Sequence, residues 1–176
     1  MPALATLLSA TAGLQVAAYA EGKSLYGALQ LVRAVISSRE GDRTATHRWL
    51  EARAGDVGPG RSDFGTEFGP VNVDIHAVTA SVDLRDAGMA LDLAEQIGTS
   101  ELSAERQSRL FLDKTRAYTQ RRQVGEAVAA LLEVEELAPE QIRSHPLARQ
   151  AIHDLTQISR RTPMDPQELA QRATVT

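Results

Sequence analysis

Apolar residues recur at every third or fourth position along most of the chain, a spacing typical of helices that bury one face. Residues 24–38, for example, carry Leu25, Leu29, Val32 and Ile36 at this spacing. The pattern predicts helices over residues 4–20, 24–38, 43–54, 70–84, 89–97, 103–122, 126–138 and 146–160, with a short terminal helix beginning at Pro166. The β-branched content of residues 71–75 leaves a strand open there as an alternative. The periodicity continues beyond residue 75 and favours a helix.

Short turn signals separate these predicted helices. Asp42 follows Gly41 and can cap the next helix, and Ser103 can cap another. His145 precedes Pro146 and is interpreted as a residue at a helix start, because proline fits the first turn of a helix. Residues 55–69 contain five glycines and one proline, so this segment is predicted to be the one long irregular connection.

The N-terminal segment, residues 1–23, is predicted to hold a helix of uncertain packing. A secretory signal is the alternative for residues 4–20, but this segment has no basic start, and polar residues interrupt its apolar run. No run of about 18 apolar residues occurs, so no membrane span is predicted. The expected location is the cytoplasm.

An internal repeat is the strongest signal in the sequence. The segments beginning at Arg85 and Arg122 align with a constant offset of 37 residues, which pairs Gly88 with Gly125 and Ala90 with Ala127. Further upstream, Ala45, Trp49 and Ala52 follow the turn at Gly41 with the same small–large–small spacing. A period of this length indicates stacked helical hairpins, because a single hairpin cannot bury its own apolar face.

The repeat resembles the tetratricopeptide repeat, best in the unit that runs from Phe111 through Tyr118 and Ala127 to Pro139. Residues 61–78 and 135–147 are similar to segments of the tetratricopeptide-like C-terminal region of actinobacterial transcription regulators of the XRE (helix-turn-helix) type. The predicted fold is therefore an all-α, tetratricopeptide-like solenoid of antiparallel helical hairpins. It would occupy residues 24–161, followed by a C-terminal tail over residues 162–176 with one short helix.

The resemblance implies a ligand-sensing, protein-binding or dimerising domain of a transcription regulator, acting by binding and not by catalysis. In the family a helix-turn-helix domain precedes this region, and residues 1–23 are too few to form one. The expectation is therefore a fragment, a truncated relative or a stand-alone sensory domain. Expected partners are a protein or peptide, such as a helix-turn-helix protein, a second copy of the chain, or a small-molecule effector. The alternative is a stand-alone adaptor that binds the tail of a protein.

Polar residues recur at i, i+4, i+7 and i+11 on the first helix of each hairpin, which predicts a polar stripe on each. Hairpin solenoids expose their first helices on the concave face, so three such stripes predict a groove for a peptide, a terminal carboxylate or a small ligand. The arginines would supply planar donors to an anionic group. An ordinary solvated face is the alternative. The groove residues are Tyr26, Gln30, Arg33 and Ser37, then Asn72, His76, Thr79 and Asp83, then Arg109, Asp113, Arg116 and Gln120.

Composition narrows the function classes further. Aromatic residues make up only 4% of the chain, which speaks against a β-sandwich or barrel, and there are no cysteines for disulfides, thiol chemistry or a Cys-based zinc site. The net charge of −4 disfavours direct binding to nucleic acid. The four histidines have no metal-binding spacing, and no nucleophile or phosphate-loop motif occurs. The prediction is a binding protein without cofactor or catalytic residues.

Overall fold

A computed structural model describes residues 20–54, 70–100 and 102–158, with side chains in the first range described from residue 27 to residue 51. Within these ranges every regular element is an α-helix, which confirms the all-α class. The helices are α1 (Ala20–Arg39), α2 (Arg43–Ala54), α3 (Pro70–Asp83), α4 (Ala87–Glu95), α5 (Ala104–Gln120), α6 (Val124–Leu137), α7 (Pro139–Ser144) and α8 (Pro146–Ile158). The predicted helix over residues 4–19, the irregular connection over residues 55–69 and the terminal helix at Pro166 lie outside the described residues.

The helices predicted within the described residues are confirmed to within a few residues, whereas one alternative and one predicted break are wrong. Residues 71–75 lie in α3, so the strand alternative is wrong. The break predicted at residues 21–23 is also wrong, since α1 begins at Ala20 and runs through it. This stretch contains a single glycine and no proline, and one glycine costs a helix only about 1 kcal/mol. The short helix α7 was not predicted, because Pro139 was interpreted only as the end of the preceding helix.

Side-chain caps confirm the predicted starts of three helices. The Asp42 carboxylate accepts a hydrogen bond from the Ala45 amide at 2.8 Å, and the Ser103 hydroxyl accepts one from the Arg106 amide at 3.4 Å. His145 acts in the same way at the start of α8. These bonds satisfy amide groups that have no acceptor inside the first turn of a helix.

The chain leaves α1, α3 and α5 through the same left-handed backbone conformation. Its position is Gly41 (φ 78°) after α1, Arg85 (φ 63°) after α3 and Arg122 (φ 59°) after α5. At the end of α5 the amide of Gln123 bonds to the carbonyl of Tyr118, and at the end of α1 the corresponding bond has the same spacing. This is the Schellman arrangement of helix ends. The left-handed backbone conformation at Arg85 and Arg122 therefore recurs with the same 37-residue spacing as the sequence repeat.

This geometry corrects the register of the first repeat unit. Ala90 and Ala127 each lie five residues after a left-handed position, and both are completely buried. The residue five positions after Gly41 is Thr46, which is 1% exposed, whereas the predicted Ala45 is only half-buried. The prediction had placed Ala45 at this position, and Gly88, which it paired with Gly125, lies inside α4.

The first compact unit ends at Leu84 and contains α1, α2 and α3, which all pack against one another. Leu31 and Val73 form its buried apolar cluster with Leu50 packed against them. Two polar contacts fasten the end of α3: Arg39 pairs with Asp83 at 3.3 Å, and the Arg43 guanidinium donates to the Leu84 carbonyl at 2.9 Å.

The second compact unit begins at Arg85 and contains α4 to α8. Helices α5, α6 and α8 pack against one another around its apolar cluster, while α4 packs against α5. Leu131 of this cluster is 1% exposed, and Ile142 of α7 is also a member. The other buried members are Leu112, Val124, Ala127, Val128, Val134, Ala148, Ala151, Ile152 and Leu155.

Two glycine-to-alanine substitutions should change stability in opposite directions. Both sites have open space around an added Cβ, but Gly41 has a φ of 78° and Gly125 lies in α6. Gly41→Ala should lower the free energy of unfolding by about 1–2 kcal/mol, because an L-residue is strained in this conformation. Gly125→Ala should raise it by about 0.5 kcal/mol through helix propensity. Urea unfolding followed by circular dichroism measures both, and equal effects would contradict the assigned turn.

Candidate functional site

The stripe predicted on α1 is out of register with the other two. Gly41 after α1 corresponds to Arg85 after α3, so the aligned helix ends give an offset of 44 residues between these two helices. The prediction had matched Tyr26 of α1 to Asn72 of α3, which is an offset of 46 residues. Two residues rotate a position by about 200° around a helix, so this stripe occupies a different face. Gln30 is accordingly 2% exposed, and its Oε1 has no partner among the described residues. The prediction that Gln30 lines an open groove is wrong.

The other members of the α1 stripe differ in their surroundings. The Tyr26 side chain lies outside the described residues. Ser37 is half-buried near the end of the helix. Arg33 is also half-buried and stacks on the ring of Trp49, with 4.1 Å between its guanidinium carbon and the ring centroid. Arg33 is the charged residue among these three. Its stacking on Trp49 uses the face of the guanidinium and leaves the N–H groups at its edge available for binding.

The stripe on α3 serves mainly to hold the first unit together. Thr79 is 1% exposed and donates to the Ile75 carbonyl at 3.1 Å, so its prediction as a groove residue is also wrong. His76 is half-buried and bonds through Nδ1 to the Asn72 carbonyl at 2.8 Å. Asp83, whose side chain is 6% exposed, accepts from Arg39 of α1. The small side chain of Thr79 and the paired carboxylate of Asp83 can both lie between packed helices. The polar pattern of the sequence does not show this burial.

The stripe on α5 contains an ion triad centred on Asp113. The Asp113 side chain is 1% exposed, and its two oxygens face the Arg109 Nε at 3.4 Å and an Arg116 terminal nitrogen at 2.8 Å. Gln120, the last member, is half-buried. Asp113 was predicted to face outward, and this is wrong: the carboxylate is buried because two arginines of the same helix neutralise it. A buried carboxylate between arginines is an arrangement that fixes the positions of both cations.

Arg109 is the member of the triad that a ligand can reach. Its side chain is 38% exposed, whereas that of Arg116 is 19% exposed. Arg109 contacts Asp113 through Nε, and a guanidinium carries four further N–H donors on its terminal nitrogens. The ion triad can therefore present a positioned, partly desolvated cation to a carboxylate or another oxyanion.

His145 adds a titratable group near the ion triad. Its Nδ1 accepts a hydrogen bond from the Leu147 amide at 3.2 Å, which requires that nitrogen to be unprotonated and places the proton of the neutral ring on Nε2. Burial lowers the pKa of His145, the positive charge of Arg109 lowers it further, and Asp113 acts in the opposite direction. Both the cap and the neighbouring cation thus favour the neutral imidazole.

The His145 cap should make the second unit less stable in mild acid. The ring has an ordinary pKa of 6.5, and its pKa in the folded protein is lower. Its contribution is therefore complete above pH 6.5 and is lost as the pH falls below that value, because the unfolded chain binds the proton more tightly. His145→Asn keeps a capping acceptor that does not titrate. Unfolding measured between about pH 5 and pH 8 should show a smaller loss in this variant than in the wild type.

His153 provides the matched control for this prediction, because it is an exposed histidine of α8 that makes no cap. In His153→Asn the His145 cap is intact, so this variant should still lose stability in mild acid through His145. Identical pH profiles for His145→Asn and the wild type would show that the cap does not contribute.

Among the described residues, no group of three or more histidine, aspartate and glutamate side chains is arranged to hold a metal ion. In the same part of the chain no helix is both long enough and apolar enough to cross a membrane. The ion triad of α5 has charged groups held at defined distances by contacts within one helix.

A second arginine arrangement, in the first unit, was not predicted in full. Arg48 also lies over the ring of Trp49, with 4.8 Å from its guanidinium carbon to the ring centroid. The sequence places Arg48 next to the only tryptophan of the chain, but adjacent residues on a helix normally point in different directions. The contact of Arg33 with the same ring requires α1 and α2 to be neighbours, which the sequence pattern shows only indirectly.

Comparison with known protein families, with curated proteins and with solved structures finds no match for this chain. The all-α class therefore rests on the coordinates. The similarity of residues 61–78 and 135–147 to helix-turn-helix regulators remains a prediction.

Proposed function

We propose that this chain is a binding module of tetratricopeptide-like helical hairpins that acts in a cytoplasmic transcription regulator system. The resemblance of two segments to XRE-type regulators supports the regulatory role. The repeated left-handed helix ends at Gly41, Arg85 and Arg122 support a fold built from similar hairpins. A proposed signal alters the packing of the hairpins and so the placement of a helix-turn-helix unit, attached or on a partner protein. The module itself carries out no chemistry.

The observation that carries this proposal is the ion triad on α5. Burying Asp113 between Arg109 and Arg116 costs desolvation energy, and such buried pairs contribute little to stability on balance. The arrangement has a clearer use in recognition, because it holds the exposed edge of Arg109 in one orientation. An arginine fixed in this way pairs well with the carboxylate of a peptide terminus or of an acidic side chain. The proposed partner therefore presents a carboxylate to Arg109.

Affinity capture with variants of Arg109 tests the proposed function. The full chain is used as bait in lysate from an actinobacterium, and captured proteins are quantified by mass spectrometry. Arg109→Gln removes the exposed cation and leaves the shorter Arg116–Asp113 contact in place. Arg149→Gln is the matched control, because Arg149 is an exposed arginine of α8 outside the ion triad.

The proposal expects the wild type and Arg149→Gln to recover the same helix-turn-helix protein, and Arg109→Gln to lose it. Recovery of an unrelated protein in an Arg109-dependent manner would overturn the regulatory role and favour a stand-alone adaptor. Recovery that is equal with all three baits would overturn the role of Arg109.

A further inference from the structure

Two arginines of the first unit converge on one indole ring. Arg33 extends from α1 and Arg48 from α2, and their guanidinium carbons lie 4.1 Å and 4.8 Å from the centroid of the Trp49 ring. Both distances are within the range of a cation–π interaction, which is about 6 Å. Arg33 and Trp49 are half-buried, and Arg48 is exposed. The half-buried ring of Trp49 thus holds two positively charged groups close to it on the hairpin formed by α1 and α2.

Neither guanidinium is neutralised by the described part of the chain. Arg33 and Arg48 make no ion pair or hydrogen bond there, and the stacking on Trp49 is the interaction they share. Glu51 lies three residues after Arg48 on α2, a spacing at which pairs commonly form, yet these two side chains make no ion pair. Two like charges beside one ring repel each other, and an anion bound to both would relieve that repulsion.

Stacking on the ring also leaves the N–H donors of each guanidinium available to bind an anion. A guanidinium that lies over an aromatic face keeps its N–H donors at its edge, where they can bind oxygen atoms in pairs. The aromatic ring holds the guanidinium groups in place, which reduces the entropy lost when a ligand binds. Two such groups, with two positive charges, match a ligand that carries two negative charges.

We propose that Arg33, Arg48 and Trp49 form a binding site for a small oxyanion with two negative charges, either a phosphate group or a dicarboxylate. All three residues belong to the first unit and none belongs to the ion triad of α5, so the inference does not depend on the proposed protein partner. It assigns a small-molecule effector to a defined place in the chain. The chemistry shared by the two ligand classes is a pair of oxygen acceptors for each guanidinium.

Calorimetry and fluorescence of the intact chain test this site directly. Inorganic phosphate, succinate and acetate are titrated at constant ionic strength, with sodium chloride as the reference. Trp49 is the only tryptophan, so its emission reports on the proposed site alone. Isothermal titration calorimetry detects binding even where the emission does not change. Phosphate and succinate distinguish the two ligand classes, and acetate tests the requirement for two charges.

The expected result is saturable binding of phosphate or succinate with a Kd of about 1 mM or lower, and weaker binding of acetate. Arg33→Gln and Arg48→Gln should each weaken the binding at least about tenfold, since each removes charge-assisted hydrogen bonds. Arg149→Gln, in the second unit, should leave it unchanged. Because Arg48 is exposed, its variant decides the result if Arg33→Gln does not fold.

Two results would overturn the proposal. One is the absence of saturable binding of either dianion beyond the chloride reference. The other is binding that both arginine variants retain with the wild-type Kd. Neither result would affect the capture experiment on Arg109, because Arg109 belongs to the second unit.

Discussion

Leu131→Ala is expected to lower the free energy of unfolding by about 3 kcal/mol, within the range of about 2–5 kcal/mol for such substitutions in a core. Leu131 of α6 is 1% exposed and belongs to the apolar cluster that joins α5, α6 and α8. Alanine would remove the transfer energy of the side chain and leave a cavity among residues that are themselves fixed by packing. Urea unfolding followed by circular dichroism provides the measurement.

Leu132→Ala is the matched control, because Leu132 is the next residue of the same helix and is 40% exposed. Its substitution should change stability by no more than about 0.5 kcal/mol. Similar losses for the two variants would show that α6 does not bury the face that carries Leu131. That result would also contradict the hairpin packing on which the proposed module depends.

Breaking the ion triad should have an effect of similar size. Arg116→Met keeps an aliphatic side chain but removes the 2.8 Å contact to Asp113, whose side chain is 1% exposed. The expected loss of stability is about 3 kcal/mol, at the lower end for a broken buried pair because Arg109 still contacts the carboxylate. The measurement is the unfolding free energy at neutral pH.

A double-mutant cycle separates the charge from the packing of this site. Asp113→Asn, combined with Arg116→Met, removes the buried negative charge together with one of its cations. The double variant should be more stable than Arg116→Met alone, because an amide costs less to bury than a carboxylate that has lost its nearer cation. Additive losses in the cycle would contradict the direct coupling of these two residues.

Much of the fold could be predicted because local signals agreed with one another. The predicted helix over residues 43–54 has the bounds of α2, and caps at Asp42, Ser103 and His145 mark the predicted starts. The predicted register of the first repeat unit was wrong for a physical reason. The prediction aligned the repeats on Gly88 and Gly125, but the left-handed position is occupied by arginine at residues 85 and 122. The sequence pattern does not reveal which non-glycine residue adopts that conformation.

The candidate site was less predictable than the helices. The polar pattern identified Arg109, Asp113 and Arg116 as a group, but it could not show that Asp113 is buried. Polar residues such as Thr79 can donate to the carbonyl one turn earlier, and this bond satisfies the hydroxyl donor inside a core. A polar stripe therefore predicts a common face of the helix but not its exposure. Arg33 and Trp49 lie on different helices, so their stacking depends on how α1 packs against α2 and could not be predicted from the sequence pattern.

The central claim is that the ion triad presents Arg109 to a carboxylate of a helix-turn-helix partner. The most direct measurement is the Kd of the purified captured partner for the wild type, Arg109→Gln and Arg149→Gln, determined by calorimetry at low and high salt. Loss of one charge-assisted contact predicts binding at least about tenfold weaker for Arg109→Gln, with a smaller dependence on salt, and an unchanged Kd for Arg149→Gln. Equal affinities of all three proteins for the partner would contradict the claim.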